Sequence, residues 1–461
     1  MSETPQIMTA VAAAPARESS TVSSTVSNIF QHALIYGLGG VLAYGVITFG
    51  AVEPWSLLGF QALAAGLLIL WALKAAITNT EFVFNPLFLP VLVFAGIVGA
   101  QLVLHRTVYA YVTQTTALNY VAYAILLFVA VQTLRTEGDL KRFLGCMTVF
   151  GFMIAIFAVI QDLTSKNEIY WMVTVRGSSF IYGPYVNHNH YAGLMEMLAP
   201  IPLVLSMMED LTAPKRVLLA FAGIFMAATI FFSLSRGGMT GFAFESVFLA
   251  AVLWWRNASR KAALIFATAC LFILMFLLWL GGQRLVQRVV GLKDEASYHT
   301  RLQIARDSVA MIKARPVLGW GLGTFPTVYP KFRTFYADVF INAAHNDYVQ
   351  ATTETGLLGF ATAFAFLAVV YRRAFRKLRG SGSTLDVTKA ATLGALLGIT
   401  GILIHSFVDF NLQIPANAAV FYVIAAIAAA SFVAPIARRH RQHSMPSRRF
   451  AGINGSTEMM Y

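Results

Sequence analysis

Charge is what this chain has least of. Only 12% of its 461 residues are Asp, Glu, Lys or Arg, about half the share of an ordinary soluble domain, while 57% are hydrophobic. Cysteine is equally scarce. The two present, Cys146 and Cys270, both fall in apolar runs, which argues against a disulfide framework and against a thiolate metal site. No Asp-x-Asp pair occurs anywhere, which argues against a metal-dependent transferase using nucleotide sugars. Residues 1–30 are rich in Ser, Thr and Ala, with Arg17 as their one basic residue. They lack an apolar core followed by a cleavage site, so a disordered cytoplasmic tail is expected there rather than a signal peptide.

What the chain has instead is apolar runs of membrane-crossing length along most of its course. A hydrocarbon core about 30 Å thick needs about twenty apolar residues per helix, and the short alternating segments of a transmembrane barrel are not seen. The expected fold class is an all-α polytopic membrane protein of about twelve spans, occupying residues 31–434. Span six is placed at 191–207, span nine at 262–281 and span ten at 355–371, with one large periplasmic loop, 282–354, between the last two. The net charge of +13 reads as span-end basic residues rather than a nucleic-acid surface. Lys74, Arg135, Lys141, Arg142, Lys215, Arg216, Arg256, Arg260, Arg372 and Arg373 follow even-numbered spans, and a basic tail occupies 435–461. That alternation puts both termini in the cytoplasm and the large loop outside.

Three outward places carry unusual chemistry. Ser233-Leu234-Ser235-Arg236-Gly237-Gly238 joins two long spans with almost no loop. Arg236 there is either a snorkelling interfacial arginine or an anion clamp, whose planar guanidinium matches phosphate oxygens; the two glycines would let a ligand approach the backbone. Gly177 to Tyr191 is a Gly/Pro/Asn loop with Asn187, His188 and His190 at a membrane boundary. Two histidines at that spacing, with no Cys, Asp or Glu nearby, suit hydrogen bonding better than zinc. The large loop contains an amphipathic helix over 301–314, with Leu302, Ile304, Ala305, Val309 and Ile312 on its expected apolar face. Arg301 would open that helix, where it opposes the dipole and invites an anion; a plain surface arginine is the other reading. The loop ends in His345-Asn346-Asp347. An imidazole there suits general-base chemistry, a structural histidine being the alternative. Asn346 or Asp347 is expected to cap the next helix, and either would orient the ring. His405, Asp409 and Asn411 stand near the outer end of span eleven and would line a cavity or pair with one another.

Taken together, Asn187-His188-Asn189-His190-Tyr191-Ala192-Gly193, the 233–238 junction, Arg301 with Arg315-Pro316-Val317-Leu318-Gly319-Trp320-Gly321, and His345 to Gln350 before Glu354-Thr355-Gly356 resemble the O-antigen ligase and polymerase superfamily of bacterial polysaccharide assembly. The resemblance implies a membrane glycosyltransferase fold in the bacterial inner membrane. It implies an undecaprenyl-diphosphate-linked glycan as donor, inversion at the anomeric carbon, and no metal or other cofactor. Residue by residue, it puts Arg236 and Arg301 on the donor diphosphate and His345 as the base that activates the acceptor hydroxyl. Asn187, His188, His190, Asn346, Asp347, His405 and Asp409 are candidate site lining. Glycan, lipid and protein acceptors all remain open, as does ligase against polymerase. The rival class is a twelve-span secondary transporter of an anionic or lipid-linked solute, although the matched half-repeats usual in that class are not seen.

Overall fold

The computed structural model describes residues 16–78, 80–165, 168–174, 180–256, 260–279, 296–336, 340–380 and 384–432. Its elements in chain order are α1 Ala16–Ile47, α2 Pro54–Thr78, α3 Phe88–Val103, α4 Ala110–Thr133 and α5 Glu137–Thr164. A two-stranded antiparallel ribbon follows, Glu168–Ile169 with Val173–Thr174. Next come α6 His188–Leu198, α7 Pro200–Ser206, α8 Ala213–Phe232, α9 Arg236–Trp255 and α10 Arg260–Trp279. The series closes with α11 Ala296–Ala314, α12 Phe325–Val328, α13 Asp347–Leu378, α14 Val387–His405 and α15 Pro415–Ala429.

Among the described residues, eight helices are long and apolar enough to cross a membrane: α1 from Thr25, α2, α4, α5, α8, α9, α13 and α14. Shorter apolar helices are α3, α15 and the Ala262–Leu271 part of α10. The all-helical polytopic class therefore stands, while the expected count of about twelve spans compares with these eight helices of spanning length among the described residues. Span six differs: it is a broken pair, α6 and α7, joined at Ala199-Pro200. Proline lacks an N–H and its ring clashes with the preceding turn, so the helix restarts with Pro200 in its first turn. Both pieces are almost wholly buried.

Three boundaries move. The first helix begins at Ala16, so the tail expected over 1–30 is helical in its second half; residues 1–15 and the basic tail lie outside the described residues. The first part of the 282–354 loop, up to 295, also lies outside them. The amphipathic helix starts at Ala296 rather than Arg301, which puts Arg301 past the first turn and removes the dipole misfit. Its buried face is Ile304, Asp307, Ser308 and Met311, while Leu302 and Val309 are exposed. Asp307 turns inward because it has partners: it accepts from Tyr329 Oη at 3.0 Å and Thr334 Oγ1 at 2.8 Å.

At the centre stands α14. Of its apolar stretch 78% is buried, against 22–44% for the other spans, so it is the axis of the bundle. It packs on α6, α7, α9, α13 and α15. Helix α13 breaks at Gly356, where φ is 66°, a conformation cheap only for glycine. The Gly-rich turn 319–323 fills the break: Trp320 and Gly321 donate their N–H groups to the Thr353 and Glu354 carbonyls, both at 3.0 Å. A second, small core of Ile304, Met311, Trp320, Phe325 and Tyr329 seals this outer layer.

Candidate active site

Four helix ends meet on one side of the bundle, and each start carries a polar cap. Asn187 caps α6 by accepting from Asn189 N at 2.9 Å. Ser235 caps α9 by accepting from Gly238 N at 3.1 Å. Asn346 caps α13 by accepting from Val349 N at 3.0 Å. Such caps satisfy N–H groups that the first helical turn leaves open. Helix α14 ends there at His405, and the segment from His405 to Gln413 crosses over all three starts.

That crossing segment is the hub. Asp347 N donates to Ser406 O at 3.0 Å, and its carboxylate accepts from Ser406 Oγ at 2.8 Å and Leu412 N at 3.1 Å. Asn346 Nδ2 donates to Phe407 O at 2.9 Å. Arg301 Nη1 donates to Val408 O at 2.7 Å. Asn189 Nδ2 donates to Asp409 Oδ2. The Phe410 ring is flanked edge-on by His190 and His345, with centroids 4.9 and 5.0 Å away. On the α9 side, a Cβ at Gly237 would lie 2.3 Å from His405 Cδ2 and 3.0 Å from Val408 Cγ2. Half-buried Arg236 opens α9 one residue before this contact.

His345 sits at the edge of this hub with a φ of 50°, a left-handed conformation that non-glycine residues rarely adopt and that often marks a functional constraint. Its backbone is held from behind: Ala344 N donates to Gln350 Oε1 at 3.0 Å, and Gln350 Nε2 donates to Glu354 Oε1 at 3.2 Å. Its Nδ1 lies 4.0 Å from Asp409 Oδ1, with the ring 28% exposed, and has no hydrogen-bond partner among the described residues. Neither Asn346 nor Asp347 orients the ring, contrary to expectation, because both are spent on the hub; Asp409 is the carboxylate that faces it. Burial lowers the His345 pKa from its ordinary value, Arg301 lowers it further, and Asp409 opposes both. At Asp409, burial pushes upward but His190, His405, Arg301 and His345 outweigh it, holding the carboxyl below its ordinary range.

The remaining expectations divide. His190 belongs to the hub and Asn187 reaches it, with Nδ2 and the His190 Nε2 3.5 Å apart. His188, two residues earlier, turns the other way, its Nδ1 2.6 Å from Ser233 O. His405 faces inward, its Nδ1 2.8 Å from Glu196 Oε2. Gly237 and Gly238 admit the His405 ring and the Ala192 methyl rather than a ligand. Asn189, Glu196 and Glu245 were not singled out from the sequence. For the two glutamates the signal was present, since an acid inside a span is rare and usually functional. On the far side of α13, an apolar cavity of about 460 Å³ is lined by Phe94, Tyr120, Phe366 and Leu403, and also by Asp347 and Leu412 of the hub.

Residues 221–364 match the family model described as O-antigen ligase. The match supports the O-antigen ligase and polymerase superfamily for that stretch. The matched stretch contains Arg236, Arg301 and His345, while the 405–413 hub and the start of α6 lie outside it. No curated protein matches the chain. The family implies a multi-pass membrane enzyme that transfers glycan from a lipid-linked substrate.

Proposed function

We propose that this O-antigen ligase-like protein moves a glycan from undecaprenyl diphosphate to an acceptor hydroxyl on the periplasmic side of the bacterial inner membrane. The reaction inverts the anomeric carbon and uses no metal. Both termini are cytoplasmic, and the layer around α11 and α12 is outside. The single observation behind this reading is that Arg301 and His345 meet at the 405–410 turn, with Arg236 next in the chain to the glycine packed against it. Two guanidiniums and one partly exposed, deprotonatable imidazole suit a reaction with an anionic leaving group and a neutral hydroxyl nucleophile.

The step balances as one displacement. His345 takes the acceptor O–H proton, and the freed oxygen pair forms the new bond to the anomeric carbon. The bond from that carbon to the diphosphate oxygen breaks, and its pair leaves on undecaprenyl diphosphate. Arg236 and Arg301 oppose the charge that grows there, which is where preorganised donors contribute most. The lowered pKa of His345 keeps the ring neutral and able to accept a proton near pH 7. The cavity beside α13 offers an isoprenoid chain apolar surface next to the hub. The test is transfer by the purified protein from a lipid-diphosphate glycan to a panel of lipid, glycan and peptide acceptors. Product with one acceptor class supports the reading and names the acceptor; donor consumption with none contradicts it.

A further inference from the structure

Behind the hub, between α6, α9 and α14, lie three ionisable side chains that the transfer step does not use. Glu196 and Glu245 are 0% and 2% exposed, and His405 is 0% exposed. Glu196 Oε2 meets His405 Nδ1 at 2.8 Å. Glu196 Oε1, both Glu245 oxygens and His405 Nε2 have no hydrogen-bond partner among the described residues. The crevice that holds them is built from glycine. A Cβ at Gly241 would lie 1.9 Å from Glu196 Oε1, one at Gly401 would lie 1.7 Å from Glu245 Oε1, and one at Gly237 would meet the His405 ring. Any larger residue at these three places would fill the crevice.

Two carboxylates and one imidazole in a dry interior carry two negative charges when fully deprotonated. An unpaired buried charge is prohibitive unless a partner or a proton neutralises it. Neutrality here requires two protons. We propose that Glu196, Glu245 and His405 form a proton-binding site inside the membrane bundle that holds two protons at neutral pH. One makes Glu245 a carboxylic acid; the other makes His405 an imidazolium paired with the Glu196 carboxylate. The groups facing the site are Glu196 and Glu245 for each other, and Asp347, Asp409 and His190 around His405. The positive His405 then adds to the charge balance at the turn that carries Asp409.

Infrared spectroscopy of the full-length protein in lipid discs tests this without any transfer assay, so its failure is separable from failure of the proposed function. At neutral pH the spectrum should contain a protonated-carboxyl carbonyl band that shifts on [13C]glutamate labelling. A component of that band should disappear in Glu245→Gln, a neutral isostere, and in Glu245→Met, an apolar substitute of similar length that stands in should the first fail to fold. Absence of the band at neutral pH, its survival in the Glu245 variants, or its appearance only when sodium is removed would overturn the proposal. The last result would make the ligand a metal cation.

Discussion

His345 holds a backbone conformation that disfavours it, beside a carboxylate it does not bond and a cation that lowers its pKa. Its sign gives a pH profile. With His345 as the proposed base, transfer needs the neutral ring, so activity should rise with pH through an inflection below about 6.5, the ordinary imidazole value, and be flat above it. Asp409 raises the His345 pKa, so Asp409→Asn should move that inflection to still lower pH; a profile unmoved or moved upward would show that the two groups are not coupled. The arginines make a second test. Arg236→Ala and Arg301→Ala should each lower transfer by about 10²–10³-fold, the effect of removing one preorganised donor to a developing anion. Lysine should restore only part, because it cannot make the bidentate pair. Full activity of either alanine variant at normal membrane levels would return that residue to a snorkelling or surface role. At this scale the sequence was readable where charge stood out against an apolar background. Arg236, Arg301 and His345 stand out as candidates for that reason. The nearness of Asp409 to His345 does not, because it joins residues 64 positions apart in the chain through a turn whose path no local pattern specifies.

Helix ends, rather than helix bodies, assemble the site. The bodies were legible because membrane-length apolar runs admit little else. The break between α6 and α7 was harder to read, since prolines inside spans are often tolerated; Pro200 here starts a new helix. The face of α11 differs from its apolar pattern for another reason: Asp307 turns inward because Tyr329 and Thr334 donate hydrogen bonds to its carboxylate, and Ser308 beside it is satisfied by the Ile304 carbonyl of its own helix. Partners elsewhere in the chain thus overrode the hydrophobic pattern. Close approach of α9 to α14 depends on Gly237. Gly237→Ala places a methyl 2.3–2.4 Å from the His405 ring, so either α9 or the ring must shift. A destabilisation of about 1–3 kcal/mol is expected for such overpacking, with loss of transfer as Arg236 moves. Thermal unfolding in detergent reads the first effect and transfer rate the second. A variant with unchanged midpoint and rate would mean that the α9 start is not set by this contact.

For the whole molecule, orientation decides whether the hub faces the compartment where lipid-linked glycans are joined. The basic residues after even-numbered spans argue for an outer hub. In a background lacking Cys146 and Cys270, a cysteine at Tyr336, which is 84% exposed, should react with a membrane-impermeant reagent added outside intact cells. One at Gly380, past the far end of α13, should not. Labelling of the second site alone would invert the molecule and put the hub in the cytoplasm. The most direct test of the central claim, that His345 is the base above an arginine-held donor, is to measure lipid-linked donor binding and donor-saturated turnover on the same purified His345→Gln protein. The account predicts near-native donor affinity with most turnover lost. Near-normal turnover, or loss of affinity in step with turnover, would contradict it.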